Sequence, residues 1–145
     1  MTKVKFYPPE AVEDALLQFA VIAAKSGEKW VLCKHRERDT YEFPGGRREP
    51  NEAIMDTACR ELYEETGALQ YKLTPVCAYS VTAPGCFDGK ETFGLLSYAE
   101  IKAFESVLHS KIEKIILTDE PVAEWTYPEV QPLLLAELKK RNIIS

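Results

Sequence analysis

The sequence predicts an α/β (α+β) protein in which a mixed β-sheet carries helices on its faces. Three observations lead to this prediction: several apolar runs of strand length, two stretches with helix start and stop signals, and no internal repeat or linker in the 145 residues. We therefore expect one domain, residues 1–145, built around one core. Hydrophobic residues make up 46% of the chain and charged residues 28%, as in ordinary globular proteins.

The strands are predicted from apolar runs bounded by turn signals. Residues 16–24 and 30–35 flank Ser26-Gly27 and are expected to form a hairpin. A charged loop over residues 36–40 leads to a short extended segment, 41–43, which Pro44 keeps out of helical conformation. Three later runs read as strands: 71–81, 92–101 and 112–118.

Two stretches carry helix signals. The first covers residues 51–66, with Pro50 and Asn51 as start signals and Gly67 as a stop signal. At about 100° per residue, its core-facing side is expected to hold Met55, Ala58, Cys59 and Leu62. The second, residues 128–141, closes the chain, with an inward side predicted to hold Leu133, Leu134 and Leu138.

Composition excludes several classes of function. The net charge of −5 argues against a broad basic face for duplex nucleic acid. No apolar run is long enough to cross a membrane or to act as a signal peptide, so a cytoplasmic location is expected. The four cysteines lack zinc-like spacing; Cys33 and Cys59 are interpreted as buried apolar residues, and His35 and His109 as structural or surface residues.

The first predicted helix concentrates acidic residues near its C-terminus. Glu61, Glu64 and Glu65 are spaced at i, i+3 and i+4, so their like charges repel one another and oppose the helix dipole. A solvated helix face would be the ordinary explanation, but local stability does not favour this arrangement. A divalent cation would balance the charge, because Mg²⁺ prefers hard carboxylate oxygens together with substrate phosphates. Gly45-Gly46 is expected to form a turn with backbone angles closed to other residues, and would let a backbone carbonyl approach the same point.

The segment 43–68 resembles the signature of the Nudix hydrolases, G-x5-E-x7-R-E-U-x-E-E-x-G-U, where U is apolar. The matching positions are Gly46, Glu52, Arg60, Glu61, Leu62, Glu64, Glu65, Gly67 and Ala68. Ala68 is a small residue for the last apolar place, and the signature covers about a sixth of the chain. The resemblance implies an α/β/α sandwich with a catalytic loop and helix. It also implies Mg²⁺-dependent hydrolysis of a diphosphate linkage in a nucleoside diphosphate derivative, with Mn²⁺ able to substitute.

The resemblance also implies roles for individual residues. Glu61, Glu64 and Glu65 are expected to bind Mg²⁺ with the Gly45 carbonyl, and Glu61 to help activate the attacking water. Glu52 is expected to pair with Arg60 and so to orient the helix and the loop. Members of the family often use a further glutamate from a later strand or loop; Glu113 is the candidate here, with Glu105 and Glu100 as weaker ones.

The substrate is less constrained than the reaction. The segment 41–46 resembles the residues that lead into the signature in MutT-like enzymes. This resemblance favours a nucleoside triphosphate, including an oxidised one, as the substrate. Residues expected to contact base or phosphates are Phe43, Arg36, Arg47, Trp125, Tyr127 and Gln131. The MutT group reads its base with an asparagine before a Glu-Pro, whereas this chain has Val130-Gln131-Pro132.

Other substrates and one other class of function stay open. The family's dinucleoside polyphosphates, ADP-ribose, sugar nucleotides and triphosphorylated RNA 5′ ends all remain candidates, and Lys34, Arg36, Arg38, Arg47 and Arg48 could line a track for RNA. A regulatory module that binds nucleotides without hydrolysing them is the rival class. No partner protein is predicted, and the sequence permits a monomer or a homodimer.

Overall fold

The computed structural model describes residues 2–84, 89–105, 112–119 and 124–141. Within them lies one mixed sheet of seven strands: β1 Lys3–Tyr7, β2 Leu17–Ser26, β3 Lys29–His35, β4 Gly45–Arg47, β5 Ala68–Thr82, β6 Thr92–Phe104 and β7 Ile112–Thr118. Two α-helices accompany the sheet: α1 Ile54–Thr66 and α2 Gln131–Lys140. Short 3₁₀ turns, Pro9–Ala11 and Asp14–Leu16, connect β1 to β2.

The strand order is β1-β5-β6-β2-β3-β7, with β4 paired to β2 beside this path. Strands β2 and β6 run parallel, and the other pairs are antiparallel. Strands β2 and β3 form the predicted hairpin, in which Gly27 takes a φ of 63°. The mixed sheet predicted from the sequence is confirmed.

The two helices pack on opposite faces because successive strand residues point to opposite sides of a sheet. Ile22 and Ala24 of β2 belong to the cluster that contains Ala58 and Leu62 of α1. Ala23, between them, belongs to the cluster that contains Leu134 and Leu138 of α2. The predicted α/β/α sandwich is therefore confirmed, with one apolar core on each face.

The predicted helix bounds were correct at the C-terminus of α1 and wrong at its N-terminus. The helix stops at Gly67, which takes a left-handed φ of 75° and donates its N–H to the Tyr63 carbonyl. It begins only at Ile54, because Asn51 takes a φ of 67° that cannot continue a helix. The Ala53 N–H is instead capped by the Asp56 carboxylate at 3.2 Å.

Two predicted core residues on the helices lie at the surface. Cys59 is exposed, because the buried stripe of α1 runs through Ala58 and Leu62 and position 59 lies about 100° away from position 58. Leu133 is 47% exposed for the same reason, since Leu134 sets the inner side of α2. Cys33 is buried, as predicted.

The N-terminal strand β1 was not predicted, because Lys3 to Tyr7 mixes lysines with apolar residues and lacks a strong apolar run. Its backbone pairs with β5 along its whole length, so it forms one edge of the sheet. The interpretations of Cys86 and His109 concern positions outside the described residues. No helix in the described ranges is long and apolar enough to cross a membrane.

Candidate active site

The Gly45-Gly46 segment forms strand β4 and not the turn with special backbone angles that was expected. Gly45 pairs with Val21 and Gly46 with Ala20 in the antiparallel β2–β4 ladder. Neither glycine has a positive φ, so conformational freedom is not the reason for them. The reason is space: a Cβ on Gly45 would collide with the Ala20 carbonyl oxygen, and one on Gly46 would overlap the Glu61 carboxylate. The carboxylate of α1 therefore lies directly on the strand backbone.

Arg60 joins four features of this region. Its Nε lies 2.6 Å from Glu52 Oε2, and its Nη2 lies 3.1 Å from Glu52 Oε1. The two residues thus form a bidentate ion pair, and their pairing was predicted. Its Nη1 donates to Glu61 Oε1 at 2.8 Å and to Glu64 Oε2 at 3.4 Å. Its Nη2 also donates to the Arg47 carbonyl at the end of β4. The guanidinium thus fixes helix α1 against the loop that precedes it.

The three helix glutamates have different environments. Glu65 is 7% exposed, and burial raises the pKa of its carboxyl to about 8, although the Gly45 N–H lies 2.8 Å from its Oε1 and lowers the pKa. Burial also raises the pKa of Glu61 to about 7, against the opposing effect of Arg60. The Glu64 side chain is 49% exposed. One buried and one partly buried carboxyl, both with raised pKa values, mark this as a functional-site candidate.

The Arg60 pairing has the opposite effect on Glu52. The hydrogen bond from Arg60 lowers the pKa of Glu52 to about 2, with a smaller contribution from the backbone N–H of Glu49. Thr57 Oγ1 also donates to Glu52 Oε1 at 2.8 Å. Glu52 is therefore held as an anion and serves the packing of α1 against the loop.

Sequence reasoning missed two residues behind Glu65. His35 Nε2 lies 3.2 Å from Glu65 Oε2 and 3.7 Å from Glu42 Oε2. Glu42 is 4% exposed, and its Oε1 accepts from Arg38 at 3.0 Å. Strand periodicity offered a partial signal, because His35 lies two residues beyond buried Cys33 on the same face of β3.

The donor set fits a hard divalent cation, although a converged ligand cage is not present. Among the described residues, no group of three or more His, Cys, Asp or Glu side chains has the arrangement of a metal site. Arg60 Nη1 instead bridges Glu61 and Glu64 and partly balances their charge. All three candidate ligands from α1 offer carboxylate oxygens, and the carboxylates of Glu65, which is buried, and of Glu61, which is 12% exposed, lie against the Gly45-Gly46 backbone.

A cavity of about 270 Å³ opens on the Gly45-Gly46 backbone, the segment against which the Glu61 and Glu65 carboxylates lie. The Gly45-Gly46 backbone and Glu42 form one side. The other sides are mainly apolar and aromatic, with lining residues that include Phe19, Val21, Tyr79, Val81, Tyr127 and Gln131. A mainly apolar cleft with few polar groups is typical of a small-ligand site.

The predicted aromatic residues have unequal access to this cavity. Phe43 is one of the lining residues, although its side chain is only 1% exposed and packs between Trp30 and Trp125, with ring centroids 5.6 and 5.3 Å away. Trp125 packs on Phe43 and is not among the lining residues. Tyr127 lines the cavity and is 45% exposed, with the Arg38 guanidinium 5.9 Å from its ring centre.

The predicted basic residues also differ. Arg36 and Arg47 are exposed near the ends of β3 and β4. The Arg48 guanidinium is held by the Asp14 carboxylate and by the Glu52 carbonyl, which leaves it poorly placed to grip a phosphate. Arg48 therefore belongs to the packing of the loop, contrary to its predicted place in a basic track.

The candidates for an additional glutamate are scattered. Glu113 lies in β7 beside the irregularity opposite Lys34 and His35, and its side chain is outside the described part of the structure. Glu105 accepts a hydrogen bond from Tyr63 Oη at 2.9 Å, and Glu100 is exposed on β6. The buried carboxylate beside the cavity is Glu42, which was not one of these candidates.

Comparison with known proteins identifies the family. A model of the NUDIX domain matches residues 16–143. The chain belongs to the Nudix hydrolase family. The crystal structure of the Bacillus subtilis pyrophosphohydrolase BsRppH superposes on this Nudix hydrolase with a TM-score of 0.80 and 25% identity, covering 99% of this chain and 94% of that one.

Two curated relatives match shorter segments. Bacillus subtilis YtkD, to which 8-oxo-dGTP diphosphatase activity is ascribed, is 43% identical over 60 residues, or 41% of this chain. The RNA pyrophosphohydrolase of Bartonella quintana is 39% identical over 61 residues, or 37% of this chain. The matches span only 37% and 35% of those two proteins. Their substrates differ, so the comparisons establish the family and leave the substrate of this Nudix hydrolase to be argued.

Proposed function

We propose that this protein is a Mg²⁺-dependent pyrophosphohydrolase of nucleoside triphosphates, including oxidised ones. The observation that carries the proposal is the shared wall: the Gly45-Gly46 backbone lines the cavity and also contacts the carboxylates of Glu61 and Glu65. A base held in the cavity would place its phosphates beside these carboxylates. We propose further that the domain comprises residues 1–145 and acts in the cytoplasm, as a monomer or a homodimer.

The protein's own groups would have distinct tasks in this reaction. Glu61, Glu64 and Glu65 would hold Mg²⁺, which when bound neutralises phosphate charge and supplies an activated water. The cation would replace the Arg60 contacts with Glu61 and Glu64, while the bidentate ion pair between Arg60 and Glu52 would keep α1 in place. Glu61 would accept the proton of the attacking water.

The test is a panel of substrates assayed with Mg²⁺ and, separately, with Mn²⁺. It contains ordinary and oxidised nucleoside triphosphates, ADP-ribose, sugar nucleotides, dinucleoside polyphosphates and a short triphosphorylated RNA, scored for released phosphate and pyrophosphate. Preference for a triphosphate supports the proposal. In Glu64→Gln and Glu65→Gln, turnover should fall at least about 100-fold with the fold retained. Near wild-type turnover in both variants contradicts the metal-ligand assignment.

A triphosphorylated RNA 5′ end is the second candidate. The segment match to an RNA pyrophosphohydrolase and the exposed positions of Arg36 and Arg47 favour it. An RNA would follow its phosphates along such a basic rim, so its cleavage should weaken steeply with salt. Arg36→Ala and Arg47→Ala would then reduce cleavage of RNA far more than cleavage of a free triphosphate. Equal effects on both substrates favour the free nucleotide.

Binding without hydrolysis is the rival from another class. It predicts that Mg²⁺ and nucleotide together raise the melting temperature while no product forms. The complete set of signature residues, Gly46 through Ala68, supports hydrolysis over this alternative.

A further inference from the structure

The Glu65 carboxylate has a nitrogen close to each of its two oxygens. Its Oε1 lies 2.8 Å from the Gly45 N–H, and its Oε2 lies 3.2 Å from His35 Nε2, which is within hydrogen-bonding distance. The terminal torsion of a glutamate is soft, so a single hydrogen bond leaves the carboxylate free to rotate. A donor on the second oxygen fixes its plane, and His35 is in position to supply that donor.

His35 itself lies on well-supported backbone. It is the last residue of β3, where it pairs with Ile112 of β7, and its carbonyl accepts from the N–H of Arg38 at 3.2 Å. Its side chain is 20% exposed, and the described residues that line the cavity do not include it. His35 is therefore placed to act on Glu65 and not on a base in the cavity.

A second carboxylate faces the same ring nitrogen. Glu42 Oε2 lies 3.7 Å from His35 Nε2, and Glu42 Oε1 accepts from Arg38 at 3.0 Å. Two acceptors directed at one nitrogen favour a hydrogen on that nitrogen, since the partners of a histidine decide which of its ring nitrogens carries one. Glu42 thus supports Nε2 as a donor towards Glu65.

We propose that His35 is a positioning residue, whose Nε2–H donates to Glu65 Oε2 and orients this carboxylate to bind Mg²⁺. The inference rests on the proposed function and deepens it by naming the group that fixes one of the proposed ligands. An ionised carboxylate can only accept, so the hydrogen between the two groups must come from Nε2. Each carboxylate oxygen also keeps a further lone pair for the cation.

The test is the binding of Mn²⁺ alone, without nucleotide, with free Mn²⁺ measured by electron paramagnetic resonance. His35→Leu removes the donor and should weaken Mn²⁺ binding at least about ten-fold, as loss of such a partner typically does. His35→Gln places an amide N–H the same number of bonds from Cβ as Nε2, so it should restore most of the affinity. His35→Asn is the matched control, because its shorter amide reaches only the place of Nδ1 and should not restore the affinity.

Turnover of a triphosphate gives a second readout. In His35→Leu and His35→Asn, kcat should fall by a larger factor than KM rises, because His35 contacts Glu65 and lies outside the cavity lining. A merely structural role predicts a different pattern: Mn²⁺ affinity would follow the melting temperature in EDTA across the three variants, and His35→Gln would be no better than His35→Asn.

The wild type offers a measurement that needs no variant. The chain has two histidines, so the ring nitrogen-15 resonances of His35 need only be distinguished from those of His109. With Mg²⁺ bound, Nε2 of His35 should carry a hydrogen. An Nε2 without a hydrogen overturns the proposal even if no His35 variant folds.

The outcomes are distinguishable from failure of the proposed function. If no triphosphate is hydrolysed but Mn²⁺ binding depends on His35 as described, the hydrolase proposal fails and the role of His35 stands. If His35→Leu binds Mn²⁺ as tightly as the wild type, or the Gln and Asn variants bind it equally, the role of His35 is refuted and the hydrolase proposal is untouched. A wild type that binds no Mn²⁺ refutes the role of His35 together with the metal-ligand assignment.

Discussion

Glu65→Gln should stabilise the metal-free protein at alkaline pH. In the wild type, burial raises the pKa of this carboxyl from 4.5 to about 8, and the carboxylates of Glu61 and Glu42 add to the rise. His35 and the Gly45 N–H also face it. An uncharged amide avoids the cost of ionising in this site while keeping an oxygen for the Gly45 N–H.

The direction and size of this stability change follow from the linkage between proton binding by Glu65 and folding. Between pH 4.5 and about 8 the unfolded chain has lost this proton and the folded chain retains it, so stability falls as pH rises through that window. At about 1.4 kcal/mol per pH unit, the loss is about 3 to 5 kcal/mol in total. Below pH 4.5 this contribution is constant, and above about pH 8 no more is lost.

The assay is urea unfolding of both proteins in EDTA from pH 5 to pH 9, with the difference in unfolding free energy plotted against pH. That difference should shift in favour of the variant as pH rises. Adding Mg²⁺ at pH 8 should stabilise the wild type more than the variant, because only the wild type offers the full set of carboxylates. Parallel stability curves, with equal responses to Mg²⁺, would refute the assigned environment of Glu65.

Two further predictions concern the neighbouring contacts. Gly46→Ala should lower turnover at least about ten-fold in steady-state kinetics, because its methyl would displace the Glu61 carboxylate. Gly27→Ala is the control: its Cβ would meet open space but its φ of 63° strains an alanine, so it should lower the melting temperature and leave the turnover of the folded enzyme unchanged. Glu52→Gln should lower the melting temperature at neutral pH and converge with the wild type near pH 2, because Glu52, whose pKa is lowered to about 2 by Arg60, loses its charge only there. A constant offset down to pH 2 would contradict that pairing.

Much of the fold was predictable because its main signals are local. The run from Trp30 to His35 and the stop at Gly67 depend on apolar patterning and on backbone conformation, both of which a sequence displays. Strand β1 was missed because its stability comes from pairing with β5, some seventy residues away. Cys59 and Leu133 were misplaced because each lies at the margin of a helical face that only packing defines.

The residues of the candidate site likewise fall into two groups, those in one local sequence pattern and those brought together only by folding. The glutamates of α1 and their partner Arg60 follow one short pattern, so they could be identified without a structure. His35 and Glu42 could not, because they reach Glu65 from other parts of the chain. The sequence suggested freedom of rotation as the reason for Gly45 and Gly46, whereas the structure shows that both positions lack room for a side chain.

The segment from Phe43 to Gly45 has a consequence for where a substrate would be cut. The N–H of Phe43 donates to the side-chain amide of Gln131, which lines the cavity, and the N–H of Gly45 donates to the carboxylate of Glu65. Two residues of extended chain span at most about 7 Å, and their length cannot change. With a nucleotide bound as proposed, this segment would fix the distance between the cavity and the Glu65 carboxylate. That distance, and not the affinity for the nucleotide, would then determine which phosphorus is attacked. Lengthening it by one residue would move the cut along the phosphate chain or abolish it.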